Sequence, residues 1–240
     1  MTAPRRPAAV TAADAAAASP RDPAAARRAV LEGGGTMLER PMRPAVDVSA
    51  LPTIVFGSRD LVWWGTWGFM IVESLSLAVC VASYFYLKRN FGNWPPLRTP
   101  LPRLGIPTAS LAVLLLALVP TKLFHRAARR RDAGATTLWL WVATLVTGAA
   151  TVLRVLEFNA IGARWDLNAY TSAVWAIVFA HFTLVLVDTF ETGTLAAYFS
   201  AGAYQEKHFV DATNNALYTY FMILVWVPLY VLVYLLPRWV

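Results

Sequence analysis

Hydrophobic positions along this chain gather into five long runs that are separated by short polar segments. The runs cover about residues 61–87, 106–124, 136–161, 170–198 and 212–236, and each is bounded by charged residues, Pro or Gly. A helix needs about 20 mostly apolar residues to cross the hydrocarbon layer of a bilayer, and every run is close to that length or longer. The pattern therefore predicts an all-α membrane protein in which residues 51–240 form one bundle of five transmembrane helices.

Residues 1–50 show a different pattern. They are rich in Ala, Pro and Arg and contain almost no large apolar side chains. Such a segment buries too little apolar surface to offset the conformational entropy that folding costs. It lacks the apolar region of a secretory signal, and it carries acidic residues that a mitochondrial presequence avoids. We therefore expect a disordered cytoplasmic tail on a bacterial protein.

The composition agrees with a membrane protein. Hydrophobic residues make up 58% of the chain and charged residues 15%, whereas about 25% of the residues in a typical soluble domain are charged. The net charge of +7 resembles that of a nucleic-acid-binding protein. The basic residues lie in the tail and the loops, however, where they fit lipid headgroups. We therefore expect no nucleic-acid partner.

The distribution of Lys and Arg predicts how the bundle is oriented. On the side of the N-terminus lie Arg40, Arg43, Arg59, Lys122, Arg126, Arg129, Arg130, Arg131 and Lys207. On the opposite side lie Lys88, Arg89, Arg98, Arg103, Arg164 and Arg238. Because loops with more Lys and Arg stay in the cytoplasm, we expect a bacterial cytoplasmic membrane protein with a cytoplasmic N-terminus and a periplasmic C-terminus.

Ionisable residues inside the predicted spans are the strongest candidates for chemistry, since each costs about 2.5–3.5 kcal/mol near a helix centre on insertion scales. Glu73 lies near the middle of the first span, and His181, near the middle of the fourth span, is a candidate partner. Asp188 and Glu191 lie nearer the cytoplasmic end of the fourth span. There we expect snorkelling or contact with a loop to relieve the cost of their charges.

Arg154 and Glu157 are three residues apart on the third span. Side chains with this spacing share a helix face, so we expect the two residues to form an ion pair near the outer end of that span.

These residues leave three interpretations open. A proton or ion pathway would use Glu73, His181 and Asp188 as stations, a haem or metal site would use His and carboxylate ligands, and a buried polar network would fix helix packing in a multi-subunit complex. Only His181 lies deep in a span, and no Glu-x-x-His spacing is present, so we expect no haem, metal or other cofactor in this chain. A transporter would show interrupted helices at matching positions in two halves, a pattern that the sequence lacks. The packing network is the favoured interpretation of these residues.

Six segments of the chain provide a more specific signal through their order and separation. They are Trp67–Leu87, which includes GFMIVESLSLAVC, then NWPP at Asn93–Pro96, IPTASLAVLLLA at Ile106–Ala117 with its closing FHRAA, LEFNA at Leu156–Ala160, YTSAVWAIVFAHF at Tyr170–Phe182, and Leu217–Pro237. With these segments the chain from about Trp63 onward resembles subunit III of haem–copper cytochrome c oxidases, in the short bacterial form with five spans.

Two departures from that family place the chain on a divergent branch. The family commonly carries His-Gly-x-His on the fourth of these helices, and here the Gly and the second His are replaced by Phe182 and Leu184. Its last helix commonly reads Trp-His-Phe-x-Asp, and Thr219, Tyr220 and Ile223 take the Trp, His and Asp positions. An accessory subunit of a bacterial nitric oxide reductase is therefore an alternative.

The resemblance implies a non-catalytic accessory subunit of a respiratory oxidase. Members of the family pack against the catalytic subunit I in a complex that includes subunit II, hold structural phospholipids between their helices, and help to sustain proton uptake during oxygen reduction. The haem and copper lie in the partner subunit. Glu73 falls on the family's membrane-embedded, protonatable glutamate. A stand-alone small channel or carrier that uses Glu73 and His181 is the alternative from another functional class.

Overall fold

A computed structural model describes Pro52 and residues 54–239 of the chain, and all of their regular secondary structure is helical. A 3-10 turn at Gly57–Arg59 comes first. Five long helices then follow, α1 at Leu61–Asn90, α2 at Gly105–Arg129, α3 at Ala133–Ala160, α4 at Ala169–Ser200 and α5 at Glu206–Trp239. All five are long and apolar enough to cross a membrane, so the chain is a multi-pass membrane protein and the predicted fold class is confirmed. The tail predicted for residues 1–50 lies outside the described residues.

The helices are longer than the apolar runs that predicted them. The last run, predicted for 212–236, belongs to a helix of 34 residues, which at 1.5 Å per residue is about 51 Å long. The hydrocarbon layer is only about 30 Å thick. Polar residues at the helix ends therefore continue the helices into the headgroup regions, where an apolar pattern no longer marks them.

Short polar side chains fix where three of the helices begin. The carboxylate of Asp60 accepts a hydrogen bond from the backbone N–H of Trp63 at the start of α1, and Asp132 does the same for Ala135 at the start of α3. Asn168 begins α4 with a capping box. Each cap pairs a backbone N–H that the helix leaves without an internal partner.

Helices α3 and α4 approach each other closely through small residues. A β-carbon added to Gly193 on α4 would meet the Cγ2 methyl of Thr144 on α3 at 3.2 Å. Farther along the same contact, the hydroxyls of Thr151 and Thr189 are 3.1 Å apart and hydrogen-bonded. Close approach through Gly and Thr with hydrogen bonds between the helices is a common way to pack transmembrane helices, because lipid offers no hydrophobic driving force for association.

Helix α1 lies at the edge of the bundle. In its most apolar 18-residue window only 17% of the residues are buried, against 50% for α5. The buried residues of α1 are Met70, Leu77 and Tyr84. Their spacing of seven residues makes a narrow stripe down one side of the helix. Much of the remaining α1 surface is exposed and can contact lipid or another subunit.

Helix α5 changes its winding near its end. Pro228 lies inside the helix, and a π-helical turn, Val231–Leu235, follows it. Proline removes one backbone hydrogen bond, and a π turn is wider than an α turn and often marks a functional position. The π turn contains Tyr234, whose side chain is fully buried.

Candidate functional site

The five ionisable residues singled out from the sequence fall into two groups at different depths of the bundle. Arg154, Glu157 and His181 meet in one place, together with two buried aromatic residues. Glu73 and Asp188 lie in the other, each beside a hydroxyl of α5. We call the first group the ion-pair cluster (Arg154, Glu157, His181, Trp226 and Tyr234) and the second the carboxylate cluster (Glu73, Asp188, Tyr218 and Thr219).

The ion-pair cluster is built around a salt bridge that has no exposure to solvent. The Arg154 Nη1 atom donates to the Oε2 atom of Glu157 at 2.7 Å, and both side chains are 0% exposed. The hydroxyl of Tyr234 donates to the other carboxylate oxygen of Glu157 at 2.5 Å. The i,i+3 spacing had predicted this pair. The sequence did not indicate that Tyr234, 77 positions away, completes it.

His181 is held in one orientation and one tautomer. Its Nδ1 atom lies 3.3 Å from Nη2 of Arg154, and its Nε2 atom lies 3.0 Å from the backbone carbonyl oxygen of Met222. A guanidinium only donates and a carbonyl only accepts. Nδ1 must therefore accept and Nε2 must carry the proton, which makes the ring a neutral imidazole whose two nitrogens are both engaged.

Trp226 closes the cluster from the side of α5. Its ring stacks on the imidazole of His181 with 4.4 Å between the centroids, and the guanidinium carbon of Arg154 lies 3.8 Å above the ring centroid. A cation above the face of a desolvated indole gains about 2 kcal/mol or more. The arrangement disperses the charge of Arg154 over a carboxylate, an imidazole and an aromatic face, away from lipid.

The expected contact between Glu73 and His181 is wrong. The seven residues from His181 to Asp188 on α4 span about 10 Å along the helix axis, and His181 lies on the far side of that interval from the carboxylate cluster. The partner of Glu73 is Tyr218, whose hydroxyl donates to Oε1 of Glu73 at 2.9 Å. Tyr218 lies about one helical turn from Met222, the residue whose carbonyl holds His181.

The cost of burying the carboxylate of Asp188 is offset in a different way from the one that its sequence position predicted. Asp188 is 0% exposed and therefore neither snorkels nor contacts a loop. The hydroxyl of Thr219 donates to its Oδ1 atom at 2.7 Å. Glu191, one turn along α4, is exposed and lies in an open groove. The expectation for Asp188 failed because the sequence did not reveal that α5 covers this face of α4.

The two clusters differ in how their carboxylates are paired. Both oxygens of Glu157 and both ring nitrogens of His181 have partners, and the unpaired polar atoms of the ion-pair cluster are the donors Nε of Arg154 and Nε1 of Trp226. In the carboxylate cluster, Oε2 of Glu73 and Oδ2 of Asp188 are buried and accept no hydrogen bond from any described residue. Buried polar atoms are nearly always paired, with protein or with ordered water. The two free oxygens are therefore candidates for contact with water or another small ligand.

Sequence reasoning missed the hydroxyl residues on α5 that complete both clusters, Tyr218, Thr219 and Tyr234. Thr219 and the amide residue Asn215 are spaced by four residues and stand where an apolar run was predicted, so they face the same side of the helix. That spacing was the available signal. For Tyr234 there was none, because its position depends on the π turn. Within residues 54–239, no group of three or more His, Cys, Asp or Glu side chains is arranged to hold a metal ion.

Comparison with known proteins gives one relative that agrees with the motifs. No family model matches the sequence. The protein named cytochrome c oxidase subunit 3 from Thermostichus vulcanus is 22% identical to this chain over 171 residues, which cover 71% of this chain and 85% of the relative. The resemblance to subunit III is thus confirmed: the chain is a distant homologue of that protein, and its five membrane-spanning helices fit the five-span form of the fold.

Proposed function

We propose that this chain is a non-catalytic accessory subunit of a bacterial respiratory haem–copper oxidase. The observation that carries the proposal is its similarity over 171 residues to a protein named cytochrome c oxidase subunit 3, joined to a bundle of five transmembrane helices. In this role the chain packs against the catalytic subunit I, in a complex that also contains subunit II. The haem and copper of the complex belong to the partner subunit.

The ion-pair cluster supports a structural role for the chain. Arg154, Glu157 and His181 come from α3 and α4, and their partners Trp226 and Tyr234 come from α5. Breaking a buried ion pair is strongly destabilising, because it leaves one charge uncompensated. A cluster of this kind therefore holds three helices in one arrangement. Since both nitrogens of His181 are engaged, that side chain is occupied with packing and does not offer a free metal ligand.

Binding of structural phospholipid is part of the proposal, and the groove between α1 and α5 supports it. The groove has a volume of about 630 Å³. Its apolar lining includes Leu77, Val81 and Phe85 on α1 and Leu229 and Leu232 on α5. It is open to the outer surface of the bundle, and among the described residues no ionisable side chain lines it. An acyl chain fits this lining and would fill the space that the loosely packed α1 leaves.

Support for proton uptake during oxygen reduction is the most specific part of the proposal. Glu73 lies about 18 Å from the start of α1, measured at 1.5 Å per residue. Ionisable groups at such a depth are costly and are usually retained for a function. The free Oε2 atom and the single hydrogen bond from Tyr218 leave the carboxyl able to change its protonation state without breaking an ion pair. The ion-pair cluster lacks that freedom.

We also propose that the chain lies in the bacterial cytoplasmic membrane with its N-terminal side in the cytoplasm. The loop between α2 and α3 supports this orientation because it carries Arg129, Arg130 and Arg131 next to the helix ends. Basic residues within short loops set the orientation of membrane proteins. Protease digestion of an epitope tag placed in that loop, in right-side-out and inverted vesicles, tests the orientation.

Purification from the native membrane in mild detergent tests the proposed function. We expect the chain to elute with a haem-bearing subunit. A colourless homo-oligomer that conducts ions in liposomes would contradict the proposal and favour a channel. The haem spectrum of the co-eluting material distinguishes an oxygen-reducing partner from a nitric-oxide-reducing one, since the two classes carry different sets of haem and metal centres.

A further inference from the structure

A second groove lies between α1, α4 and α5 on the N-terminal side of the bundle. On α1 it follows the stripe of Val62, Gly65, Thr66 and Phe69. These residues recur at helical spacing on one face, and Glu73 continues that face one turn deeper. The space consists of an outer part of about 460 Å³ and an inner part of about 260 Å³. The two parts adjoin, because both are lined by Val62, Thr66, Glu191 and Asn214.

The residues that line this second groove are more polar and more acidic than those that line the apolar groove between α1 and α5. Tyr198, His208 and Asp211 line the outer part, and Tyr218 lies at the end of the inner part. Asp60 and Lys207 are the other charged groups close to Asp211 at the mouth. Glu191 lines both parts and lies one turn of α4 closer to the N-terminal side than Asp188 of the carboxylate cluster. We call this space the acidic groove.

Unpaired buried atoms behind the acidic groove point to a ligand inside it. Asp188 is 0% exposed and its Oδ2 atom has no partner among the described residues. Asn215 is 1% exposed, and its Nδ2 atom lies near the carboxylate of Glu191 without a well-formed hydrogen bond. Glu191 and Glu73 are the acidic groups near Asp188. Groups that need both donors and acceptors in one confined place are the usual partners of ordered water.

The charge of the groove selects among possible occupants. Glu191, Asp211 and Asp60 repel the phosphate of a lipid headgroup, while water, protons and small cations are compatible with them. A groove of this size holds several water molecules, since each occupies about 30 Å³ in the liquid. Water that reaches the inner part would contact the hydroxyl of Tyr218, which is already hydrogen-bonded to Glu73.

From this geometry we propose that the acidic groove is a proton inlet, through which water and Glu191 deliver protons from the N-terminal side to Tyr218 and Glu73. In the transfer step, Tyr218 gives its hydroxyl proton to Oε1 of Glu73 along the existing hydrogen bond. The phenol oxygen takes a proton at the same time from a groove water, and Glu191 or bulk water restores that proton. No net charge remains on Tyr218, and the carboxyl of Glu73 becomes neutral.

The inlet opens to one side only. Beyond the carboxylate cluster, towards the C-terminal side, the buried side chains Leu77, Val185, Met222 and Ile223 form an apolar layer. The ion-pair cluster lies past that layer, and both oxygens of its carboxylate, Glu157, are already paired, so it offers no free acceptor for a proton. Protons that reach Glu73 therefore exchange with the N-terminal side and not with the opposite one.

Cysteine labelling tests whether the acidic groove contains water. Cys80 is the only cysteine of the chain, so Cys80→Ser gives a background without thiols. Phe69→Cys places a thiol in the inner groove. Gly68→Cys is the matched control, because Gly68 precedes it on the same helix, is slightly shallower, lines neither part of the groove and faces open space. The reagents are membrane-impermeant methanethiosulfonates of positive and of negative charge, applied to oriented vesicles that contain the assembled protein.

We expect Phe69→Cys to react from the N-terminal side and Gly68→Cys to stay unreactive. The cationic reagent should react about 10-fold or more faster than the anionic one, because acidic clefts concentrate cations. Thr66→Cys provides a second groove position if Phe69→Cys does not fold. If neither groove cysteine reacts faster than Gly68→Cys, lipid fills the groove and the proposal is wrong. Equal reaction from both sides of the membrane would also contradict a one-sided inlet.

Infrared spectroscopy tests the proton transfer itself. The carbonyl stretch of protonated Glu73 is identified by its loss in Glu73→Gln, and its rate of shift on transfer to D₂O measures proton exchange. We expect Tyr218→Phe and Glu191→Gln each to slow this exchange about 10-fold or more, since each removes a relay group. Tyr230→Phe is the matched control: Tyr230 lies on the same helix, and its hydroxyl pairs with Thr108 far from the groove.

Unchanged exchange in both relay variants would overturn the inlet, and so would a Glu73 that shows no protonated form at any pH at which the protein is intact. Neither measurement depends on which enzyme the chain joins. A failure here would leave the proposed accessory role standing and remove only its proton-uptake part, and a failure to co-purify with a haem protein would leave the inlet standing.

Discussion

The ion-pair cluster and the carboxylate cluster place similar chemical groups in the same bundle with opposite consequences. In the ion-pair cluster the charges neutralise each other, both oxygens of Glu157 are paired, and no side chain reaches a groove. In the carboxylate cluster none of the basic residues among those that the structure describes forms an ion pair with Glu73 or Asp188, each carboxylate is bonded by one hydroxyl, and a groove reaches Tyr218. The first arrangement resists any change of protonation, and the second permits it.

This difference separates two reasons for an ionisable residue to lie in a membrane. A satisfied ion pair ties helices together, because its removal leaves a charge without a partner. A carboxyl with a free oxygen near water gains little for packing and can bind or release a proton at small structural cost. Depth alone does not distinguish the two cases. An opposite charge bonded to the carboxylate, as Arg154 is to Glu157, does.

The largest effect is expected from breaking the ion pair. Glu157→Leu leaves the guanidinium of Arg154 buried without its carboxylate, and removing one partner of a buried pair costs about 3–5 kcal/mol. We expect the variant to lose most of its folded population in mild detergent, measured as the free energy of unfolding or as the yield of assembled complex. The pair Arg154→Met with Glu157→Leu removes both charges, and it should recover most of the lost stability.

If the double variant is as unstable as Glu157→Leu alone, the ion-pair cluster contributes through something other than charge pairing, and the contrast between the clusters would lose its basis. An Asp188→Leu variant provides the comparison from the carboxylate cluster. It leaves no opposite charge behind, and the Thr219 hydroxyl keeps its hydrogen bond to the backbone carbonyl of Asn215, so we expect the loss of one hydrogen bond to cost about 1 kcal/mol.

A matched pair of tyrosine variants gives the next largest effect. Tyr234→Phe removes the donor to Glu157 in a site that water does not reach, where a hydrogen bond to a charged group contributes about 1.5–3 kcal/mol. Tyr218→Phe removes the donor to Glu73 beside the acidic groove, where water can replace it, and should cost about 1 kcal/mol or less. Denaturant titration of both variants in the same detergent measures the difference. Equal costs would show that both sites are equally dry.

The apolar runs were sufficient to predict the five helices and their order, because burial in lipid leaves a strong and long pattern. The pairing of Arg154 with Glu157 was predictable because it is local to one helix. The partners of Glu73, His181 and Asp188 were not, since they depend on which face α5 turns towards α4. That face is set by how α5 packs against its neighbours, and helical spacing alone does not encode it.

The smallest effect on stability is expected at Glu73, and it is the most informative one. Glu73→Gln keeps the shape of the side chain and its acceptor for Tyr218, and Glu73→Leu loses only one hydrogen bond, so both should change the free energy of unfolding by about 1 kcal/mol or less.

If Glu73 binds a proton during turnover, both variants should lose that function, because neither Gln nor Leu can take up a proton. We expect both variants to assemble normally and to inactivate faster than the unmodified complex during turnover, with Gln as impaired as Leu. Inactivation that is unchanged in both variants would remove the proton role from Glu73. Inactivation that is faster in Glu73→Leu alone would assign the residue to packing, and the carboxylate cluster would then serve the same purpose as the ion-pair cluster.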